Sequence, residues 1–224
     1  MGTLINVAAV ILGSAIGLIL HKNFPPRFIK IIFQAIGLFT LLLGFSIALK
    51  TEHYLIVIGS LVLGAVVGEW IDIDKYMTAW GDRMKKRLKF AGDKFTDGMM
   101  TAFLLYCMGA MTILGAIEEG VEGSYDILLM KSLMDGVSSV ALASGLGIGV
   151  AFSVIPLLIY QGGLTLFASF IGEHLTEVII SDLSATGGIL LIGLGINILE
   201  IKSLKILNMI PSLVFVVILS YLFY

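Results

Sequence analysis

The chain has 224 residues, 58% of them hydrophobic and only 13% charged, with a formal net charge of −2. A mean hydropathy of +1.03 lies far outside soluble globular usage, so the chain reads as an integral membrane protein whose first partner is the lipid bilayer. So small a net charge says little by itself about partners, no nucleic-acid partner is expected, and the single Cys107 cannot form an intrachain disulfide.

The apolar runs are long and continuous rather than alternating, which predicts an all-α polytopic bundle instead of a barrel. They predict about eight spans, over residues 2–20, 29–49, 54–71, 98–117, 126–145, 147–171, 184–200 and 205–224, in one membrane domain covering 1–224. The opening MGTLINVAAVILGSAIGLIL is apolar from its start and lacks a basic n-region, so it reads as a retained first span. GSAIG at Gly13 and Gly17, GAVVG at Gly64 and Gly68, and the run Gly145, Gly147, Gly149 predict close helix contacts, with homo-oligomer formation as a second use of the same surfaces.

Between the third and fourth spans, residues 72–97 hold seven of the fourteen Lys and Arg residues: Lys75, Arg83, Lys85, Lys86, Arg87, Lys89 and Lys94. The positive-inside rule makes this segment cytoplasmic, and both termini then fall outside. Lys22, Arg27, Lys30, Lys202 and Lys205 also land inside, which leaves Lys50 outside and Lys131 buried. Tyr76, Trp80, Met84 and Leu88 at helical spacing predict an interfacial helix on the inner leaflet. The outer loops are acidic, with Glu52, Glu118, Glu119, Glu122, Asp126, Glu173, Glu177 and Asp182.

The fourth span runs into Glu118 and Glu119, and Gly115 and Gly120 are places where it would break into a half-helix, with the two acids at an outer mouth. The fifth, YDILLMKSLMDGVSSVALASGLGIG, carries Lys131 and Asp135 inside the bilayer. Each charge alone costs about 2.5 to 3.5 kcal/mol near a bilayer centre. Their four-residue spacing lets them pair, and Ser138 continues the stripe with Ser139 beside it. Leu129, Leu133, Val137 and Val140 form the opposite, lipid-facing side. In the sixth span Pro156 predicts a kink, and Tyr160 and Gln161 need partners inside the bundle. Asn6 and Asn197 read either as helix-to-helix hydrogen bonds or as substrate contacts, and Asn208 as support for the backbone freed by Pro211.

GLFTLLLGFSI from Gly37 lies over GILLIGLGINI from Gly188, with both glycines matched and Ser46 meeting Asn197. The offset sets span two against seven and three against eight, pairs that cross in opposite directions. That predicts an inverted repeat of spans 1–3 and 6–8. Enzyme chemistry is not expected. His21, His53 and His174 are scattered, there is no HExxH, cysteine cluster, GxSxG elbow or phosphate loop, and GLGIN leaves Tyr125-Asp126 without the second carboxylate of an intramembrane protease. No metal, cofactor or catalytic residue is expected.

The motifs GTLINVAAVILGSAIG, YCMGAMTILGAIEEG with KSLMDG, FSVIPLLIYQGG and GGILLIGLGINILEIKSLKILNMIPSL together resemble the YqgA/YdfK-like bacterial inner-membrane proteins, a domain-of-unknown-function family. The resemblance implies a multi-pass protein of the bacterial cytoplasmic membrane with transport as its expected role, and carries over no substrate. The residues lead to the same expectation: a secondary transporter of an unidentified small solute or ion. Asp135 binds the cargo or a proton, Lys131 neutralises it in one state, and Ser138, Tyr160, Gln161, Asn6 and Asn197 line the cavity. A channel on the same stripe, or a scaffold in which the pair only fixes packing, are the alternatives.

Overall fold

The computed structural model describes residues 1–21, 26–88, 92–107, 110–121, 123–171 and 176–224. Lys22, Lys89, Glu122, Glu173 and His174 lie outside the described residues. Among those described, all regular structure is helical: α1 (Gly2–His21), α2 (Pro26–Ala48), α3 (Tyr54–Ile71), α4 (Ile73–Arg87), α5 (Phe95–Cys107), α6 (Ala110–Val121), α7 (Asp126–Leu146), α8 (Gly149–Phe152), α9 (Val154–Ile171), α10 (Glu177–Ile198), a 3-10 turn (Ile206–Met209) and α11 (Ser212–Phe223). Among the described residues, six helical segments are long and apolar enough to cross a membrane, or seven if the bent pair α5 and α6 is one span. Contacts divide the chain into two compact units.

The first unit comprises residues 1–35, 77–107 and 111–172. Its backbone is the seam between α1 and α7, which run parallel: Gly2 meets Leu128, Gly13 meets Gly136, and Gly17 meets Val140. A Cβ added at Gly13 would lie 2.1 Å from the Gly136 carbonyl oxygen, so only glycine permits this approach. In lipid, such proximity supplies the dispersion contacts that no hydrophobic effect provides between spans. On the far side of α7, Leu129, Leu133 and Val137 are exposed, the surface lipid should cover.

The expected single span over 98–117 is two helices whose axes turn by 62°. Gly115 and Gly120 both lie inside α6, packed on Leu128 and on the Thr165 carbonyl, so they serve helix contact rather than the break. The sixth span, by contrast, remains one segment long enough to cross, Gly149–Phe170, with only a turn at Ser153 between α8 and α9. Pro156 falls in the first turn of α9, where its missing N–H costs least, and α8 and α9 meet just before it.

The second unit comprises residues 36–76, 108–110 and 173–224. Here α3 and α11 pack antiparallel, with Gly64 against Ser212 and Gly68 against Asn208. The C-terminal half of α2 lies antiparallel on α10, Gly44 facing Gly188 and Gly195 facing the Gly37 carbonyl. α10 starts at Glu177, capped by the Thr176 hydroxyl accepting from the Ile179 N–H at 3.3 Å. The helix therefore begins well before residue 184, and Asp182, expected in an outer loop, is fully buried inside it.

Candidate functional site

Lys131 and Asp135 occupy the middle of α7, 4% and 8% exposed. The Lys131 ammonium donates to Asp135 Oδ2, closing the i, i+4 pair. Asn6 of α1 donates from Nδ2 to the same oxygen at 2.9 Å and to Gln161 Oε1 of α9 at 3.0 Å. Gln161 Nε2 donates to Thr3 Oγ1 at 3.3 Å. Asn6 and Gln161 are both fully buried, so every amide group there needs a partner.

The amide orientation of Asn6 follows from its neighbours. Two acceptors, a carboxylate and an amide carbonyl, converge on one end of the side chain, so that end is the NH₂ group. Asn6 Oδ1 is then left buried with no donor from the described residues. An orphan acceptor of this kind is rare and costs about 1 to 3 kcal/mol.

α5 supplies the site's third wall. The Tyr106 ring centroid lies 5.9 Å from Lys131 Nζ, and its hydroxyl is 2.7 Å from Ser139 Oγ. Ser139 spends its one proton on the Asp135 carbonyl at 2.7 Å, so Tyr106 donates to Ser139. The Tyr106 carbonyl, near the end of α5 where no next helical turn can reach it, accepts from the Thr112 hydroxyl of α6 at 2.7 Å. The end of α5 is thus tied to both α6 and α7 beside the charged pair.

A chain of polar contacts continues from the pair to one end of the unit. Thr3 Oγ1 lies 3.5 Å from Glu119 Oε2, and Glu119 Oε1 accepts from the Gly2 N–H at 2.8 Å and from the Met1 amino group. Glu118 Oε2 accepts from the Ile127 N–H at 3.1 Å. Both acids therefore neutralise helix N-termini, of α1 and α7, where a negative charge is favoured. The parallel course of those helices is what puts the two acids on one side.

The sequence-derived residues fare differently. Asn6, Lys131, Asp135 and Gln161 are brought together. Tyr160 is half-buried and packs edge-on against Phe103 at 6.2 Å. Ser138 is half-buried, and its neighbour Ser139 makes the network's bonds. Asn197 belongs to the second unit, where its amide bonds both the N–H and the carbonyl of Leu204 at 2.8 Å and clamps the loop after α10. Thr3 and Tyr106 were not singled out from sequence, since a hydroxyl near a helix end and a tyrosine in an apolar run carry no local signal of their partners.

The second unit holds a separate buried carboxylate. Asp182 accepts from Thr51 Oγ1 at 2.5 Å, Ser220 Oγ at 2.8 Å and His53 Nδ1 at 3.2 Å. Unlike the first site it has donors on both oxygens.

The fold and the buried network define a polytopic helical membrane protein with a lysine–aspartate pair buried in one of its units. The chain belongs to the family described as "Protein of unknown function (DUF554)", whose model matches residues 1–221. It is 33% identical over 217 residues to the uncharacterized membrane protein YdfK of Bacillus subtilis (strain 168), covering 95% of this chain and 92% of that one. To the uncharacterized protein YqgA of Escherichia coli (strain K12) it is 32% identical over 225 residues, covering 98% and 96%. No solved structure matches it.

Proposed function

We propose that the protein is a secondary carrier of a small solute or ion in the bacterial cytoplasmic membrane, with its binding site at Asp135, Lys131, Asn6 and Gln161. The observation that supports this best is the polar chain from half-buried Glu119 through Thr3, Gln161 and Asn6 to Asp135. A pair needed only for packing would be satisfied by its own helix and a wall of apolar side chains. Intramembrane charges with a polar connection to one end are the mark of a pathway. On this reading there are eight spans with both termini outside, Glu118 and Glu119 stand at the outer end, and α4 lies on the inner leaflet with its lysines and arginines toward anionic headgroups.

The angle between α5 and α6 beside the pair fits the discontinuous helices on which carriers build their sites. An inverted repeat also fits. The alignment that sets Gly37 on Gly188 and Gly44 on Gly195 requires, for a two-fold relation, that Gly37 meet Gly195 and Gly44 meet Gly188. Those are the contacts made between α2 and α10.

Thiol accessibility tests the reading without knowing the cargo. Cys107 is the only cysteine, so a Cys107→Ala background carrying Thr3→Cys or Ser139→Cys reports one position at a time. A membrane-impermeant thiol reagent should modify both cysteines from the outer side in right-side-out vesicles, and Ser139→Cys also from the inner side in inverted ones. Absence of modification from either compartment would leave only a packed scaffold.

A further inference from the structure

We propose that the last turn of α5 is a gate over the buried pair, that Tyr106 is its latch, and that it closes the pair off from the cytoplasmic side. This rests on the carrier reading and specifies how access to the same site is controlled. Tyr106 is fully buried and lies along α7. Its ring centroid stands 5.9 Å from Lys131 Nζ, and its hydroxyl reaches Ser139 Oγ at 2.7 Å. One side chain thus covers the two turns of α7 that bracket Asp135. On the side of α1 and α9 the neighbours of the pair are instead the amides of Asn6 and Gln161 and the Thr3 hydroxyl, which lead on to Glu119. The two approaches differ in kind: polar groups line one, and an aromatic ring blocks the other.

The two ends of α5 are held by different means. At its first turn, a Cβ added to Gly149 of α8 would lie 2.0 Å from the Phe95 carbonyl oxygen, and one added to Gly98 would lie 3.0 Å from Leu146. The Phe95 and Phe152 rings pack 5.3 Å apart, and the Thr96 hydroxyl donates to Asp82 of α4 at 2.7 Å. Backbone contact of this closeness makes that end a pivot. The last turn is held by side chains: Tyr106 donates to Ser139, the Thr112 hydroxyl of α6 donates to the Tyr106 carbonyl, and Phe103 meets Tyr160 edge-on. One neutral hydrogen bond shifts a two-state equilibrium by only about two- to tenfold, so such a hold can be released. α6 stays in place, seated by Gly115 on Leu128 and by Gly120 on the Thr165 carbonyl, which confines the movement to α5. On the topology proposed above, α7 runs inward from Asp126, and Ser139 lies on the cytoplasmic side of Asp135. Lifting Tyr106 off Ser139 therefore opens the pair toward the cytoplasm.

The native Cys107 adjoins the latch and is fully buried, so it reports the opening without an added cysteine. With the full-length protein in inverted vesicles, a charged, membrane-impermeant methanethiosulfonate reagent should label Cys107 slowly in wild type and up to about tenfold faster in Tyr106→Phe. Thr112→Val, which frees the same turn from α6, should act in the same direction. Ser139→Ala should also raise the rate, and Tyr106→Phe/Ser139→Ala should be no faster than the faster single variant, because both remove one bond. A general loosening of the fold is separated by sidedness: outer labelling of Thr3→Cys in the Cys107→Ala background should change by less than about twofold when Tyr106→Phe is added. Wild-type Cys107 rates in both Tyr106→Phe and Thr112→Val, effects that multiply in the double variant, or an equal rise at Thr3→Cys would overturn the gate. The carrier reading survives those outcomes as long as Thr3→Cys and Ser139→Cys are labelled as it requires. Absence of labelling at both would remove the carrier itself.

Discussion

Asn6 Nδ2 donates to Asp135 Oδ2 over 2.9 Å, joining α1 to the buried carboxylate of α7 across 129 positions of sequence. This bond, with the companion bond to Gln161, ties three helices at one point and leaves Asn6 Oδ1, at the other end of the amide, without a donor among the described residues. A hydrogen bond to a charged group contributes about 1.5 to 3 kcal/mol, so Asn6→Ala should lower the unfolding midpoint of the detergent-solubilised protein accordingly. Gln161→Ala should act through the same network. The double variant should lose less than the sum, and strictly additive losses would mean the two amides do not communicate.

The α1–α7 seam predicts a sharp contrast between glycines. At Gly13 an added Cβ meets the Gly136 carbonyl at 2.1 Å, whereas at Gly162 nothing lies within 4 Å. Gly13→Ala should destabilise by about 1 to 3 kcal/mol through backbone displacement. Gly162→Ala, inside α9, should be neutral or stabilising by up to about 1 kcal/mol, because alanine is the better helix former. Thermal unfolding of the two variants side by side checks this, and equal midpoints would contradict the packing described.

Much of this arrangement is legible in the sequence, and the unread part has a common cause. α3 spans Tyr54–Ile71 and α7 begins at Asp126 as the apolar runs predict, because hydropathy is summed locally and the bilayer fixes the length. The pairing of Lys131 with Asp135 follows from helical periodicity alone. Asn6 and Gln161 are recognisable as polar groups that need partners, but the identity of those partners is a tertiary fact that no spacing encodes. Asp182 was misplaced because an acid near an apolar run looks like a loop residue. Donors distant in the chain, Thr51, His53 and Ser220, make its burial tolerable. The direction change between α5 and α6 was sought at Gly115 and Gly120, since glycine signals a break and a close contact with the same letter.

Asp182 yields a prediction that depends on donor geometry. Its carboxylate accepts from two hydroxyls and from His53 Nδ1, and a carboxylate can only accept, so each partner contributes its proton. Asp182→Leu strands those donors in a buried pocket and should cost about 1 to 3 kcal/mol for each one left unpaired. Asp182→Asn should cost distinctly less. The amide oxygen still accepts, and the Ser220 hydroxyl can turn to accept from the new NH₂ group. Unfolding midpoints that fall equally for the two variants would show that volume or charge, rather than donor matching, holds this site together.

The Lys131 and Asp135 pair allows a test that separates architecture from function. Removing one member leaves the other buried and unpaired, so Lys131→Met or Asp135→Leu alone should cost about 3 to 5 kcal/mol and lower the yield of folded protein. Removing both erases the desolvation of two charges along with their attraction. Lys131→Met/Asp135→Leu should therefore recover most of that loss and fold as well as wild type. Asn6 sets a limit on the recovery, because its Nδ2 would keep only Gln161 as acceptor. Stability and transport should part company in this variant: a well-folded bundle that carries nothing in liposomes and no longer admits thiol reagent to Ser139→Cys. Retention of labelling at Ser139→Cys by the double variant would mean that the pair is a packing element.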